Sequence, residues 1–401
     1  MFRKISIILL LIALWRVVGG AWLAAYAQQD SIRVSVLTCS PGQEVYSLYG
    51  HTAIRVQVPK DSIDEVFNYG VFDFRKPHFT WHFVLGQTDY MVEPLPWRYF
   101  IIDYERRGSS ITEQELNLTA PEASCLFSAL VENCRPENRE YRYSFLYNNC
   151  TTKVRDMVEQ TIVGSIQYPD TLPHMTAREV LHRYTAQHPW AQEGNDLLLG
   201  SEVDTIMSER AAMFIPENMM MAFDDAFILN AKGDMRPLVR SKKVLLEAKQ
   251  QAAEPEFPLL PWQVITLFAA ICLLVMMIEI WAKRLFWPWD VLILLLQGIA
   301  GTLLTFMFLF SEHPAVDSNW QVWILSPIYF IGIPLVIKAA KKHQQTLWYA
   351  FYFVVLALFL LFSPWIPQVF AKITVPLALC LLTRPISYYY YCRRKKKHGR
   401  K

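Results

Sequence analysis

Residues 37–58 read LTCSPGQEVYSLYGHTAIRVQV, and residues 143–160 read YSFLYNNCTTKVRDMVEQ. The first stretch opens as a strand-like run and turns at Ser40-Pro41-Gly42. It then presents Gly50-His51 at the head of TAIRVQV, whose period-two alternation predicts a strand. A charged turn at Lys60-Asp61 leads into EVFNYGVFDF over 65–74, so the two segments make a hairpin with His51 at one end. In the second stretch the polar pair Asn148-Asn149 precedes Cys150, and Val154, Met157 and Val158 follow at helical spacing. Cys150 therefore sits at a helix N-terminus, where unpaired N–H groups and the positive end of the dipole favour thiolate over thiol. Lys153 and Arg155 add positive potential. A sulfur so placed is a candidate nucleophile, and His51 is the candidate base for its proton. Asn68, Tyr69 and Asp73, on the second hairpin strand, are candidates to orient the imidazole. The hairpin register is open at this stage, so all three stand.

The chain around these segments is too apolar for an ordinary soluble protein: 53% of its 401 residues are hydrophobic, 19% are charged and the mean hydropathy is +0.17. The net charge of +3 comes from the tail 393–401, RRKKKHGRK, which carries seven Lys and Arg and leaves the remainder acidic. Without a basic stripe, paired zinc-finger cysteines or a glycine-rich phosphate loop, a nucleic-acid or nucleotide partner is not expected. Residues 1–27 read as a signal peptide: Arg3 and Lys4, an apolar run from Ile5 to Trp15, and the small-x-small site Ala25-Tyr26-Ala27. Residues 28–257 have the composition of a folded exported domain, and AEPEFPLLPW (253–262) is a linker.

Beyond the linker, apolar runs at roughly 262–282, 289–310, 320–337, 346–362 and 366–388 predict five spanning helices in a membrane module, 258–392, each near the ~20 residues a bilayer requires. The loops alternate in charge. Lys283-Arg284, then Lys338, Lys341 and Lys342, then Arg384 with the tail are basic, whereas SEHPAVDSN (311–319) and SPWIPQ carry no Lys or Arg. The positive-inside rule puts the C-terminus in the cytoplasm and the large domain outside, as the signal peptide independently requires. A multi-pass membrane protein with its large N-terminal domain outside is expected, which in a two-membrane bacterium means the inner membrane and the periplasm. Cys125 and Cys134 flank one helical pattern whose length separates them too far for a disulfide, so free thiols are expected. Cys39, read as lying in the turn beside Pro41-Gly42, is the rival thiol.

The order His51 before Cys150 resembles the circularly permuted papain-like domain of NlpC-type hydrolases and lecithin-retinol acyltransferase relatives. TCSPGQEVYSLYGHTAIRV, NYGVFDF, WHFVLGQTDY, YNNCTTKVRD and, in the membrane half, PWD and SEHP together resemble the Lnb-type lipoprotein N-acyltransferases of Bacteroidota. That resemblance implies an α+β extracytoplasmic domain followed by an all-α five-helix module. It implies that an acyl chain moves from a phospholipid donor to the α-amino group of the diacylglyceryl cysteine of a lipoprotein acceptor, with Cys150 as nucleophile and His51 as base. Glu312 and His313, on the outer face by the topology above, are candidates to bind a headgroup or the acceptor amine, and Asn149 is a candidate substrate contact.

No cofactor is expected. His78 and His82 in HFTWH have metal-ligand spacing, but their aromatic neighbours argue for a strand or interfacial segment instead of a metal site. The rival to acyl transfer is a membrane-tethered cysteine peptidase or amidase acting on cell-wall peptide, which would use the same pair and pass the acyl group to water. A non-enzymatic receptor is the third reading, and it would tolerate loss of Cys150.

Overall fold

The structure is a computed structural model that describes residues 32–73, 75–249, 257–342 and 345–398. The expected signal peptide, part of the linker and the end of the basic tail lie outside the described residues. The chain divides into two compact units. The first takes the chain up to residue 73 with Asp89–Pro173 and 209–249, and the second takes Arg75–Thr88, His174–Ser208 and the C-terminal part.

The first unit is built on strands β1 (Arg33–Cys39), β2 (His51–Val58), β3 (Ile63–Val71), β4 (Asp89–Pro96), β5 (Ile111–Leu116), β6 (Glu140–Arg142), β7 (Ser165–Gln167), β8 (Phe227–Leu229), β9 (Met235–Pro237) and β10 (Val239–Leu246). Seven of them form one antiparallel sheet in the order β10-β5-β1-β2-β3-β4-β6, and β7-β8-β9 form a small second sheet. The expected hairpin is β2–β3, paired from Val58↔Ile63 to Ile54↔Phe67.

Both faces of the sheet centre are covered. Leu37, Cys39, Ala53 and Val66 pack with Phe100 and Tyr104 of the helix Trp97–Arg107. Residues of opposite parity meet other helices: Phe67 lies edge-on to Phe127 of Ala120–Asn133, and Thr52 shares a hydrogen bond with Thr151 of Cys150–Thr161. Each fully buried Val, Ile or Phe here contributes about 1.5–3 kcal/mol. Arg55, in the middle of β2, is buried with them, and Asp64 (2.7 Å) and Glu113 (3.2 Å) neutralise it while its guanidinium stacks on Trp97. Cys39 is not in a turn, as its Pro-Gly neighbours suggested, but ends β1 directly opposite His51.

In the second unit, helices occupy Pro261–Ala282, Trp287–Phe310, Tyr329–Lys342, Trp348–Phe362 and Thr374–His398. Three segments, Pro261–Ala282, Trp287–Phe310 and Trp348–Trp365, are long and apolar enough to cross a membrane. The expected run at 320–337 is broken. Asn319 caps a 3₁₀ turn over Trp320–Trp323, Gln321 donates to Asp196 O at 2.8 Å, and a helix of only 14 residues starts at Tyr329. Polar side chains with partners inside the protein thus stand where hydropathy alone reads a span.

Two features of this unit were not visible in the sequence. Arg384, fully buried, donates to Glu279 through both Nη atoms (2.9 and 2.8 Å) and to Asp290 through Nε (2.6 Å), and the Tyr349 hydroxyl donates to Asp290. The segment 75–88 also belongs here. Its short helix Phe79–Val84 sets Trp81 on Phe306 (centroids 5.0 Å), and Gly86, at φ +69°, leaves no room for a Cβ beside the His313 backbone N–H.

Candidate active site

Cys150 is the first residue of its helix, and the sequence around it explains why the helix starts there. Asn149 is the N-cap: its Oδ1 accepts from the N–H groups of Thr151 and Thr152, both at 2.9 Å, and Thr152 Oγ1 accepts from the Asn149 N–H at 2.8 Å. Its Nδ2 donates to Phe145 O (2.7 Å) and Phe214 O (2.8 Å). The four hydrogen-bonding positions of this amide are therefore occupied. Asn149 aims the helix, a positioning role in place of the substrate contact considered from the sequence.

His51 opens β2, and its Nε2–H donates to Asn68 Oδ1 at 2.6 Å. The pairing Ile54↔Phe67 puts Asn68 opposite Ala53, diagonal to His51 on the same face of the sheet. With Nε2 occupied, Nδ1 is left for the sulfur. Tyr104 stacks over the imidazole at 6.3 Å, with the rings 16° from parallel, and limits its rotation.

Electrostatics follow from this contact. Burial raises the Cys150 thiol, but the His51 charge, a hydrogen bond with its ring, the Thr52 N–H and the Thr151 hydroxyl outweigh it and bring the thiol down to about 7. Burial lowers His51, but the Cys150 charge, the hydrogen bond between the two and the bond to Asn68 raise it above its ordinary value. Cys39 shows the contrast: its burial pushes the thiol far up, out of the range of a nucleophile.

Gly70, at φ +89°, stands beside the pair, and a Cβ added there would lie 3.5 Å from Cys150 Cβ and 3.9 Å from His51 Cε1. Gly70→Ala is therefore expected to slow Cys150 chemistry through backbone strain of about 1–3 kcal/mol at the bulge between Tyr69 and Val71. A variant that reacts with iodoacetamide as fast as wild type would refute this. A second expectation concerns pH. Because the thiolate is the reactive form and its pKa is about 7, the alkylation rate should fall as pH drops through 7, well below the ordinary thiol range. In His51→Ala the midpoint should move upward. A wild-type midpoint at the ordinary value would mean that His51 does not act on the sulfur.

The Tyr69 hydroxyl donates to Asn133 Oδ1 at 2.8 Å, on the opposite face of the sheet from Asn68, and Asp73 lies beyond the end of β3. Glu312 and His313 belong to the second unit and hold the 83–87 segment. Gln87 Nε2 donates to Glu312 Oε1 (2.8 Å), the Glu312 N–H donates to Leu85 O (2.8 Å), and His313 Nε2–H donates to Phe83 O (2.5 Å). HFTWH is not a strand: His78 precedes the short helix and His82 lies within it. Among the described residues no group of three or more His, Cys, Asp or Glu side chains is placed to hold a metal. All cysteines described are free, and Cys125 and Cys134 sit on one helix and its C-cap.

Fold and site together define a membrane protein whose sheet-rich domain carries a Cys–His–Asn constellation. The model of the Lnb N-terminal periplasmic domain matches residues 20–183, and that of the Lnb transmembrane domain matches residues 252–396. The chain belongs to the Lnb family of lipoprotein N-acyltransferases, integral membrane proteins with a periplasmic N-terminal domain. No curated protein and no solved structure matches it.

Proposed function

We propose that this protein moves an acyl chain from a membrane phospholipid to the α-amino group of a lipoprotein's N-terminal diacylglyceryl cysteine, by way of a thioester on Cys150. The observation that carries the mechanism is the imidazole of His51, held by Asn68 on one nitrogen and paired with Cys150 through the other. The thiolate attacks the ester carbonyl, and His51 returns the proton to the departing lysophospholipid oxygen. The thioester keeps enough reactivity for aminolysis, in which His51 takes the proton of the incoming amine. Splitting one difficult transfer between two substrates that never meet is the use of the covalent step.

The chain order His51, Asn68, Cys150 fits a circularly permuted papain-like domain. In our reading the C-terminal module crosses the bilayer five times, the run 320–342 doing so as a 3₁₀ turn followed by a short helix, with the basic tail in the cytoplasm and the thiol domain on the outer side. Anchoring there confines the encounter with both lipid substrates to two dimensions. The chemistry needs no cofactor.

The test uses full-length protein, a defined phospholipid and a synthetic diacylglyceryl-cysteine lipopeptide, followed by mass spectrometry. The lipopeptide should gain one acyl chain on its amine while lysophospholipid appears in equal amount. Without the lipopeptide, the intact protein should gain one acyl mass that neutral hydroxylamine removes. Release of free fatty acid with no acylated peptide would favour a hydrolase.

A further inference from the structure

Tyr141 has a buried hydroxyl without a hydrogen-bond partner among the described residues. Tyr141, in β6, lies opposite Tyr90 of β4 in the sheet. Its ring is flanked by Tyr69, the residue before Gly70, with centroids 6.3 Å apart. On another side is Lys153, one helical turn after Cys150, with Nζ 4.7 Å from the ring centre. The ring thus stands between the strand position beside the Cys–His pair and the helix that presents the sulfur. Its Oη is buried and makes no hydrogen bond of good geometry. Gly70 is the residue whose missing Cβ leaves the gap next to Cys150 and His51.

A buried hydroxyl without an acceptor is costly and therefore rare. Among the described residues the Tyr141 hydroxyl has no hydrogen-bond partner, so its proton has no acceptor among them. Burial, together with the nearby Cys150 charge, holds this phenol well above its ordinary pKa, and it stays a donor through the range in which Cys150 titrates.

We propose that Tyr141 is a further catalytic residue, whose O–H donates to the oxyanion formed when Cys150 adds to an acyl carbonyl. This rests on the acyl-transfer reading above. In the first half-reaction a C–S bond forms and the carbonyl π pair moves onto oxygen, where Tyr141 meets it. The pair then returns, the C–O bond to the lysophospholipid breaks, and that oxygen takes the His51 proton. In the second half-reaction the amine nitrogen bonds to the same carbon and the oxyanion reforms against Tyr141. The C–S bond then breaks to release thiolate, and the amine proton passes to His51. A donor fixed before the charge appears needs no reorganisation when it does, which is the source of its effect.

The experiment is Tyr141→Phe in the full-length protein, with three readouts. Thioester formation, followed by intact mass with phospholipid alone, should slow about 10²-fold, the usual loss for one oxyanion donor. Alkylation of Cys150 by iodoacetamide should keep the wild-type rate and pH midpoint, because alkylation makes no oxyanion. Thermal unfolding should come no earlier than in wild type, since an unsatisfied polar group has been removed. Thioester formation at the wild-type rate would overturn the proposal, and so would a parallel loss of alkylation, which would mean that Tyr141 acts through the thiolate. If wild type itself acquires no hydroxylamine-labile acyl group, the failure lies with the acyl-transfer reading, and Tyr141 falls with it.

Discussion

Cys150→Ala is expected to abolish acylation of the lipopeptide, and His51→Ala to come close to it, with losses of about 10³-fold or more set against a general base's usual 10²–10⁴. The two act as one unit. The ring of His51 lowers the thiol, and the thiolate raises the ring, so removing either leaves the other with nothing to do. The double variant should therefore be no worse than Cys150→Ala alone, a marked departure from additivity. Asn68→Ala should cost less, since it frees the imidazole to turn without removing it, and the Tyr104 stack still limits that motion. Initial rates of acylated product measured by mass spectrometry decide the matter. Transfer by Cys150→Ala at anything near the wild-type rate would place the chemistry elsewhere in the molecule.

Arg384→Met should have the largest effect on stability. The arginine is buried among the helices with Glu279 and Asp290 and contacts both through charge-assisted hydrogen bonds of 2.6–2.9 Å. Removing it strands two carboxylates in a low-dielectric interior, and breaking a buried pair in this way costs about 3–5 kcal/mol. The pair itself need not be stabilising relative to an apolar core. Arg384→Met combined with Glu279→Gln and Asp290→Asn should recover most of the loss, because the charge left behind is the source of the cost. Thermal unfolding of the full-length protein in detergent measures this directly. An Arg384→Met variant that melts with wild type would show that the cluster reaches water or another cation.

The sequence reading reached the centre of the site but not its third member, for a definable reason. His51 heads an alternating strand and Cys150 follows two asparagines into a helical pattern, so local chemistry marks both. Asn68 was one of three polar residues on β3, and the choice among them is a matter of register. A one-residue slip between β2 and β3 would bring Tyr69 to the face of the imidazole. Tyr141 was missed because a single tyrosine in a three-residue strand carries no pattern; only its orphaned hydroxyl distinguishes it.

In the membrane half, hydropathy located five helices, and three segments there are long and apolar enough to cross a membrane. It missed the break in the run at 320–337 and the late start of the last helix at Thr374. The run at 320–337 is apolar in composition, and nothing local reveals that Gln321 is committed to the backbone of Asp196, 125 positions earlier. The Arg384 cluster was hidden in the same way. Its members lie 11 and 94 residues apart along the chain and meet only once three helices have packed.

The division of the chain between the two units bears on how the protein is made. Residues 75–88 and 174–208 leave the ribosome long before the helices from 261 onward to which they belong. At 5–20 residues per second, Trp81 waits roughly 15 to 60 s between its own synthesis and that of the last helix. In that interval Trp81 lacks its contact with Phe306. Severing the gene at the linker would make the wait permanent, so a secreted N-terminal fragment should be sticky and short-lived even though its sheet is complete. Assembly is thus paced by the slowest-arriving part, and a nascent chain in this state is a natural client for a periplasmic holdase.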